Sequence, residues 1–96
     1  MEIIYLPSTI QDIEWMTHYY ETVFPEGRVN MRSHFYATEA ILRENSYLGH
    51  PIDDIPNTRE LRITKTPFSL IYRVTATHIE VLRIWDSRRD RAVLRS

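Results

Sequence analysis

Apolar and polar positions change period along this chain, and each change marks an element. Glu2 to Leu6 alternates weakly and is rich in isoleucine, which predicts a short strand ended by Pro7. Ser8 and Gln11 have capping-box spacing and place a helix start there. Ile13, Met16, Tyr20, Val23 and Phe24 then recur as one apolar helix face. Pro25-Glu26-Gly27 breaks that helix, because proline lacks a donor and glycine permits a turn. A second helix is predicted from about Val29 to Asn45, with Met31, Phe35, Thr38 and Leu42 on one side. So short a break folds the two helices back as a hairpin.

Leu48-Gly49-His50-Pro51 and the stretch Ile52-Asp53-Asp54-Ile55-Pro56-Asn57 hold turn formers and no long period, which predicts a loop. The next strand spans about Arg59 to Thr64, with Leu61 and Ile63 on one face, and Thr66-Pro67 marks a turn. Phe68, Leu70, Tyr72 and Val74 then share a face, and Ser69, Ile71 and Arg73 share the other. Thr75-Ala76-Thr77 closes a hairpin into the run Ile79 to Trp85. There Ile79 and Val81 fall on one face and Leu82 and Ile84 on the other, as in an inner strand. From Asp86 the chain is polar and basic, a tail or a short terminal helix. The expected fold is therefore α+β, in the order β-α-α-β-β-β. A helical hairpin packs on one face of a mostly antiparallel four-stranded sheet, because each amphipathic element then buries its stripe. The other face is expected to stay partly open, and that face and the tail are where function would sit.

At 96 residues the chain is expected to form one domain, residues 1–96. Its 43% hydrophobic and 26% charged residues are a globular mix and exclude a disordered chain. No apolar run approaches the ~18 residues of a membrane span. The N-terminus lacks the basic region of a signal peptide. Without cysteine there is no disulfide and no thiolate metal site, which is compatible with the cytoplasm, the expected location. The net charge of −1 hides a split. Residues 59–96 hold nine Arg or Lys against four acids, and residues 1–58 hold three against nine. One reading is a basic half that seeks an anionic partner; the other is uneven charge kept for solubility.

Most candidate chemistry fails on spacing. His18, His34, His50 and His78 lie far apart with no metal-binding partner spacing, and read as surface histidines. Gly27 and Gly49 are too few for a phosphate-cradling loop, and Asp53 and Asp54 read as solvated turn residues. Ser69 and Ser87 have no base at a motif spacing. No catalytic residue, metal or cofactor is assigned. The arginines stand apart: Arg62 and Arg73 on strands, Arg83 near the end of the last one, then Arg88 and Arg89 beside Trp85. Guanidinium groups bind carboxylate or phosphate bidentately and stack on rings, and Trp85 suits a stacking platform or a hot spot for a protein partner. The bland alternative is a solvated basic edge with Trp85 in the core. Solubility alone does not demand arginine, which outnumbers lysine eight to one in residues 59–96.

These segments, in this order, resemble the RelE/ParE superfamily of bacterial toxins. The words are Leu48-Gly49-His50-Pro51, Arg59-Glu60-Leu61-Arg62, Pro67 to Val74, Ile79 to Trp85 and Asp86-Ser87-Arg88-Arg89-Asp90. The resemblance implies a plasmid-stabilisation or toxin–antitoxin toxin of bacterial cytoplasm. Within the superfamily, ribosome-dependent RelE-type ribonucleases use second-strand basic residues, a third-strand arginine, a late arginine and a C-terminal tyrosine. This chain keeps Arg62 and Arg89, but has Ser69 at the third-strand position, Glu60 at one second-strand position and no tyrosine after Tyr72. Cleavage of RNA needs cationic stabilisation and a proton-transfer group. The pattern is thus closer to ParE-type toxins, which poison DNA gyrase without an active site of their own. The resemblance then implies a cognate ParD-like antitoxin with a ribbon-helix-helix half. It implies target binding by Arg62, Arg73, Arg83, Trp85, Arg88 and Arg89, and no sequence-specific nucleic-acid binding by the chain alone. The alternatives are a RelE-type endoribonuclease and a family member that only binds its antitoxin.

Overall fold

The computed structural model describes residues 1–94. The elements run β1 (Glu2–Tyr5), a 3-10 turn (Pro7–Thr9), α1 (Ile10–Thr22), a second 3-10 turn (Pro25–Gly27) and α2 (Arg28–Glu44). They continue with β2 (His50–Pro51), β3 (Arg59–Arg62), β4 (Phe68–Val74), β5 (His78–Asp86) and the one-turn α3 (Arg91–Leu94). The sheet has five strands in the order β1-β5-β4-β3-β2. β1 pairs in parallel with β5, and the other neighbours are antiparallel. The expected α+β architecture and helical hairpin are therefore present. The fifth strand is the two-residue β2, where His50 and Pro51 pair with Glu60 and Arg59 in a stretch read as loop.

The hairpin covers one face of the sheet. Met16, Tyr20, Leu42, Ile63, Phe68, Leu70, Tyr72, Ile79, Val81 and Ile84 form the main core, with Met31 and Phe35 packed against it. Thr38 and Leu42 point inward as their spacing predicts. The inner face of α1 is rotated from the predicted one. Met16 and Tyr20 of the predicted face are buried, but Asp12 joins them in place of Ile13, and Val23 and Phe24, just past the helix, are exposed. The expected capping box is also absent: Thr9 is the N-cap, and the Ser8 hydroxyl donates to the Leu82 carbonyl at 2.6 Å. Proline at the start of the 3-10 turn Pro7–Thr9 sets the helix entry instead.

Two further departures matter for the site. Alternation along β5 is interrupted, because Ile71 pairs with Arg83 and Tyr72 with Val81, which leaves Leu82 as a bulge. Val81 and Ile84 consequently share the core face, and Arg83 and Trp85 turn to the other. That second face is not open near the tail. Ile71, Trp85 and Leu94 form a second small core, roofed by Ile52 and Ile55 of the long loop. The turn between β3 and β4 lies one step earlier than predicted: the Thr66 N–H donates to the Ile63 carbonyl at 3.1 Å, across Thr64 and a left-handed Lys65 (φ 61°).

Candidate functional site

β1 ends before β5 does, and the sheet edge this leaves is where the chain places its charged network. The Leu6 N–H donates to the Val81 carbonyl at 3.0 Å, and Pro7 then carries the chain away. Asp12, in the first turn of α1, takes over that edge. Its Oδ2 accepts from the Ile84 N–H at 2.9 Å and from Arg83 Nε at 2.8 Å, and its Oδ1 accepts from Arg83 Nη2 at 2.8 Å. A buried carboxylate is tolerable only when paired and hydrogen-bonded, and Asp12 is both. Arg83 is thus tied to α1 by a two-pronged ion pair.

The end of β5 holds a second buried carboxylate, Asp86. Its Oδ1 accepts from the Arg88 N–H at 3.0 Å and from Arg88 Nε at 2.8 Å. Its Oδ2 accepts from Arg88 Nη2 at 2.6 Å and from Trp15 Nε1 at 3.0 Å. Burial pushes this carboxyl up, but the hydrogen bonds from Arg88 and Trp15 outweigh burial and bring it down to about 2. The Arg88 guanidinium also lies 4.4 Å from the ring centre of Tyr19. Arg88 therefore fastens the tail to α1.

Arg89 is held differently. Its guanidinium carbon is 4.6 Å from the Trp15 ring centre and 5.0 Å from that of Trp85, and Arg83 sits 5.5 Å from Trp85 on the same indole. Among the described residues no carboxylate pairs with Arg89, whereas Arg83 and Arg88 beside it are neutralised. Gln11, Asp12, Trp15, Arg83, Arg89 and Val93 line a cleft of about 320 Å³ between α1, β5 and α3. The Trp85 Nε1–H is buried without a hydrogen-bond partner among the described residues, at a cost of about 1–3 kcal/mol. The ring earns its place through the second core and the two guanidinium groups on it.

The six expected target-binding residues do not gather on one surface. Arg83, Trp85, Arg88 and Arg89 meet at the end of β5. Arg62 is near: its Nη2 donates to the Ser87 hydroxyl at 3.3 Å, and its Nε to the Thr66 carbonyl at 2.9 Å. Arg73 is at the other end of β4. It pairs with Glu80 at 2.6 Å beside the hairpin, four residues and roughly 13 Å along the strand from the Ser69–Trp85 pair. Sequence reasoning missed Asp12, Trp15, Tyr19 and Asp86, which give the cluster its shape. For Asp12 a signal existed, since an acid spaced four residues before Met16 and eight before Tyr20 lies on the buried face and requires a cationic partner. A larger cleft of about 420 Å³ lies at the β2 edge, but its Arg59 is committed to the Tyr47 and Gly49 carbonyls at 3.1 and 2.7 Å.

Residues 3–91 match the family described as "ParE toxin of type II toxin-antitoxin system, parDE". The chain belongs to the ParE toxin family. It is similar in fold to a chain of the chromosomal ParDE toxin–antitoxin system from P. aeruginosa, with a TM-score of 0.69 and 24% sequence identity. That match covers 88% of this chain and 92% of the other. Among curated proteins, none matches the sequence significantly. Among the described residues, no helix is long and apolar enough to cross a membrane.

In this ParE-family chain Gly49, within Leu48-Gly49-His50-Pro51, has a physical reason. The Gly49 N–H donates to the Tyr72 hydroxyl at 2.8 Å, and a side chain at Gly49 would stand 2.7 Å from the Glu60 carbonyl. The two residues that depart from the ribonuclease pattern are both buried. Ser69 lies between β3 and β5, and Glu60 accepts from Arg91 Nη2 at 3.0 Å with His50 at 3.5 Å.

Proposed function

We propose that this toxin poisons DNA gyrase by binding it, that it cleaves no RNA itself, and that a cognate ParD-like antitoxin neutralises it in the bacterial cytoplasm. Family membership supports the toxin–antitoxin assignment. The observation that carries the mechanism is Arg89, partly exposed, laid on the half-exposed Trp15 ring with the buried Trp85 ring behind it, an interface anchor of the arginine and tryptophan type. It stands where Arg83 and Arg88 are consumed by internal carboxylates, so it offers contact and not catalysis. The committed Glu60 and buried Ser69 support the same reading. Neither presents a cation to a scissile phosphate. Arg62, Arg83, Trp85, Arg88 and Arg89 are assigned to the target-binding region, the paired Arg83 and Arg88 and the fully buried Trp85 as its frame. Arg73 is assigned to its outer margin.

The antitoxin, with a ribbon-helix-helix DNA-binding half, covers the hairpin. Apolar side chains stand in solvent there, among them Val23 and Phe24 at the end of α1 and Val29, Tyr36 and Ile41 on α2. A segment that folds on binding covers such a long apolar surface. The deciding experiment is inducible expression without antitoxin, with DNA damage and translation followed together. Induction of the DNA-damage response ahead of any translation block supports the reading. Codon-specific cuts in ribosome-bound mRNA with supercoiling untouched would replace it with the RelE-type ribonuclease, and absence of toxicity would leave an antitoxin-binding relative.

A further inference from the structure

The charges around the 320 Å³ cleft nearly cancel. Asp12 neutralises Arg83, and Asp86 neutralises Arg88. One guanidinium, Arg89, is left over among the described residues, fixed between two indole rings and opening on the cleft. We propose that this cleft is a socket for a single carboxylate side chain, Glu or Asp, of a protein partner, with Arg89 as the group that receives it. The inference rests on the reading of the toxin as a protein-binding poison, and it names the chemistry of that contact.

The charge count decides between anions. One spare positive charge matches one carboxylate, and a planar guanidinium holds its two oxygens with parallel hydrogen bonds. A phosphate dianion would place surplus negative charge beside Asp12. Polyanion binding needs a stripe of several free cations, whereas here Arg83 and Arg88 are already paired and the whole chain carries a net charge of −1. The walls point the same way. Trp15 is half exposed, Val93 is exposed, and Gln11 adds an uncharged amide, a rim that shields a charged contact from water. Stacking on two rings also fixes the Arg89 side chain before the ligand arrives, so less rotamer freedom is lost on binding.

The test uses the full chain and short capped peptides with one central Glu or Gln flanked by apolar residues. Trp15 and Trp85 are the only tryptophans in the chain, so intrinsic fluorescence reports on the site directly. The Glu peptide should bind about tenfold more tightly than the Gln peptide, as one charge-assisted contact gives. That preference should vanish in Arg89→Ala and in Arg89→Gln, and should persist in part in Arg89→Lys. If one variant unfolds, which a thermal melt shows, the other decides. Equal binding of the Glu and Gln peptides overturns the proposal. So does an unstructured oligonucleotide, or inorganic phosphate, that shifts the fluorescence more strongly than the Glu peptide. The gyrase reading is tested separately by supercoiling: carboxylate selectivity without gyrase inhibition keeps the socket and rejects that target.

Discussion

Arg88 closes both prongs of its guanidinium on Asp86, two residues before it in the chain, and lays the same group on the Tyr19 ring. An arginine that sequence alone places among target contacts is thus occupied as a clasp between the tail and α1. Arg88→Ala leaves a buried carboxylate with the Trp15 and backbone N–H groups alone. Arg88 is half exposed, so the cost falls at the low end for a broken buried pair, about 2 kcal/mol. The melting temperature should drop by roughly 10 °C, and Asp86→Asn in the Arg88→Ala background should recover part of it. Additive losses from the two substitutions would show that the clasp is not coupled.

The same pair sets an acid limit. Because Asp86 sits below its ordinary carboxylate value, its contribution is complete above about pH 4 and is lost as pH falls through about 2. A drop from 3.8 to about 2 corresponds to about 2 kcal/mol. Acid unfolding of the native chain should therefore steepen between about pH 4 and 2, and the Asp86→Asn chain should lack that component. A carboxyl resonance of Asp86 that titrates near 4 in the folded protein would contradict the assignment.

The helical hairpin, its break at Pro25 and the β3–β4–β5 meander were legible because period and punctuation agree there. The rotation of α1 was not. Its sequence offers Ile13, Met16, Tyr20, Val23 and Phe24 as an apolar stripe, and while Met16 and Tyr20 are buried, the demand of the bare β5 edge for an acceptor turns Asp12 inward in place of Ile13. The bulge at Leu82 was hidden for a related reason, since Ile79 to Trp85 is apolar on both faces and any register looks buried. The arginine cluster was legible as a composition. What Arg83 does depends on a carboxylate 71 positions away, Asp12, and no local pattern encodes that.

Gly49 is fixed by a close approach. A methyl group there would stand 2.8 Å from the Tyr72 hydroxyl and 2.7 Å from the Glu60 carbonyl, and it would break the Gly49–Tyr72 hydrogen bond. Gly49→Ala should cost about 2–3 kcal/mol and raise hydrogen exchange in the β2–β3 pair, the element it holds in place. Full retention of the melting temperature would mean that the loop moves aside without loss.

Lys65 carries the opposite opportunity. A lysine at φ 61° in the β3–β4 turn occupies the left-handed region at a cost of about 1 kcal/mol of local strain. Lys65→Gly removes that strain but adds chain entropy to the unfolded state, so a net gain of roughly 0.5 kcal/mol is expected. The measurement is urea unfolding: the midpoint should rise with an unchanged slope.

Arg88 and Arg89 should separate in toxicity as they do in structure. Arg89→Ala removes a guanidinium that rests on Trp15 and Trp85 and, among the described residues, pairs with no carboxylate, so the fold should survive with its melting temperature within a few degrees. Anchors of this type typically cost about 2 kcal/mol when truncated, near a 30-fold loss of affinity, which should abolish growth arrest on expression without antitoxin. Arg88→Ala should also weaken arrest, but in step with its loss of stability, because its effect passes through the position of the tail. Deletion of everything after Trp85 is a poorer probe, since it strips Asp86 and Leu94 from the interior and exposes Trp85. Arg89→Ala should leave antitoxin binding intact, because the exposed apolar side chains of the hairpin assigned to that contact are unchanged. Growth arrest at the native level in a stable Arg89→Ala toxin would move the target contact away from this cleft.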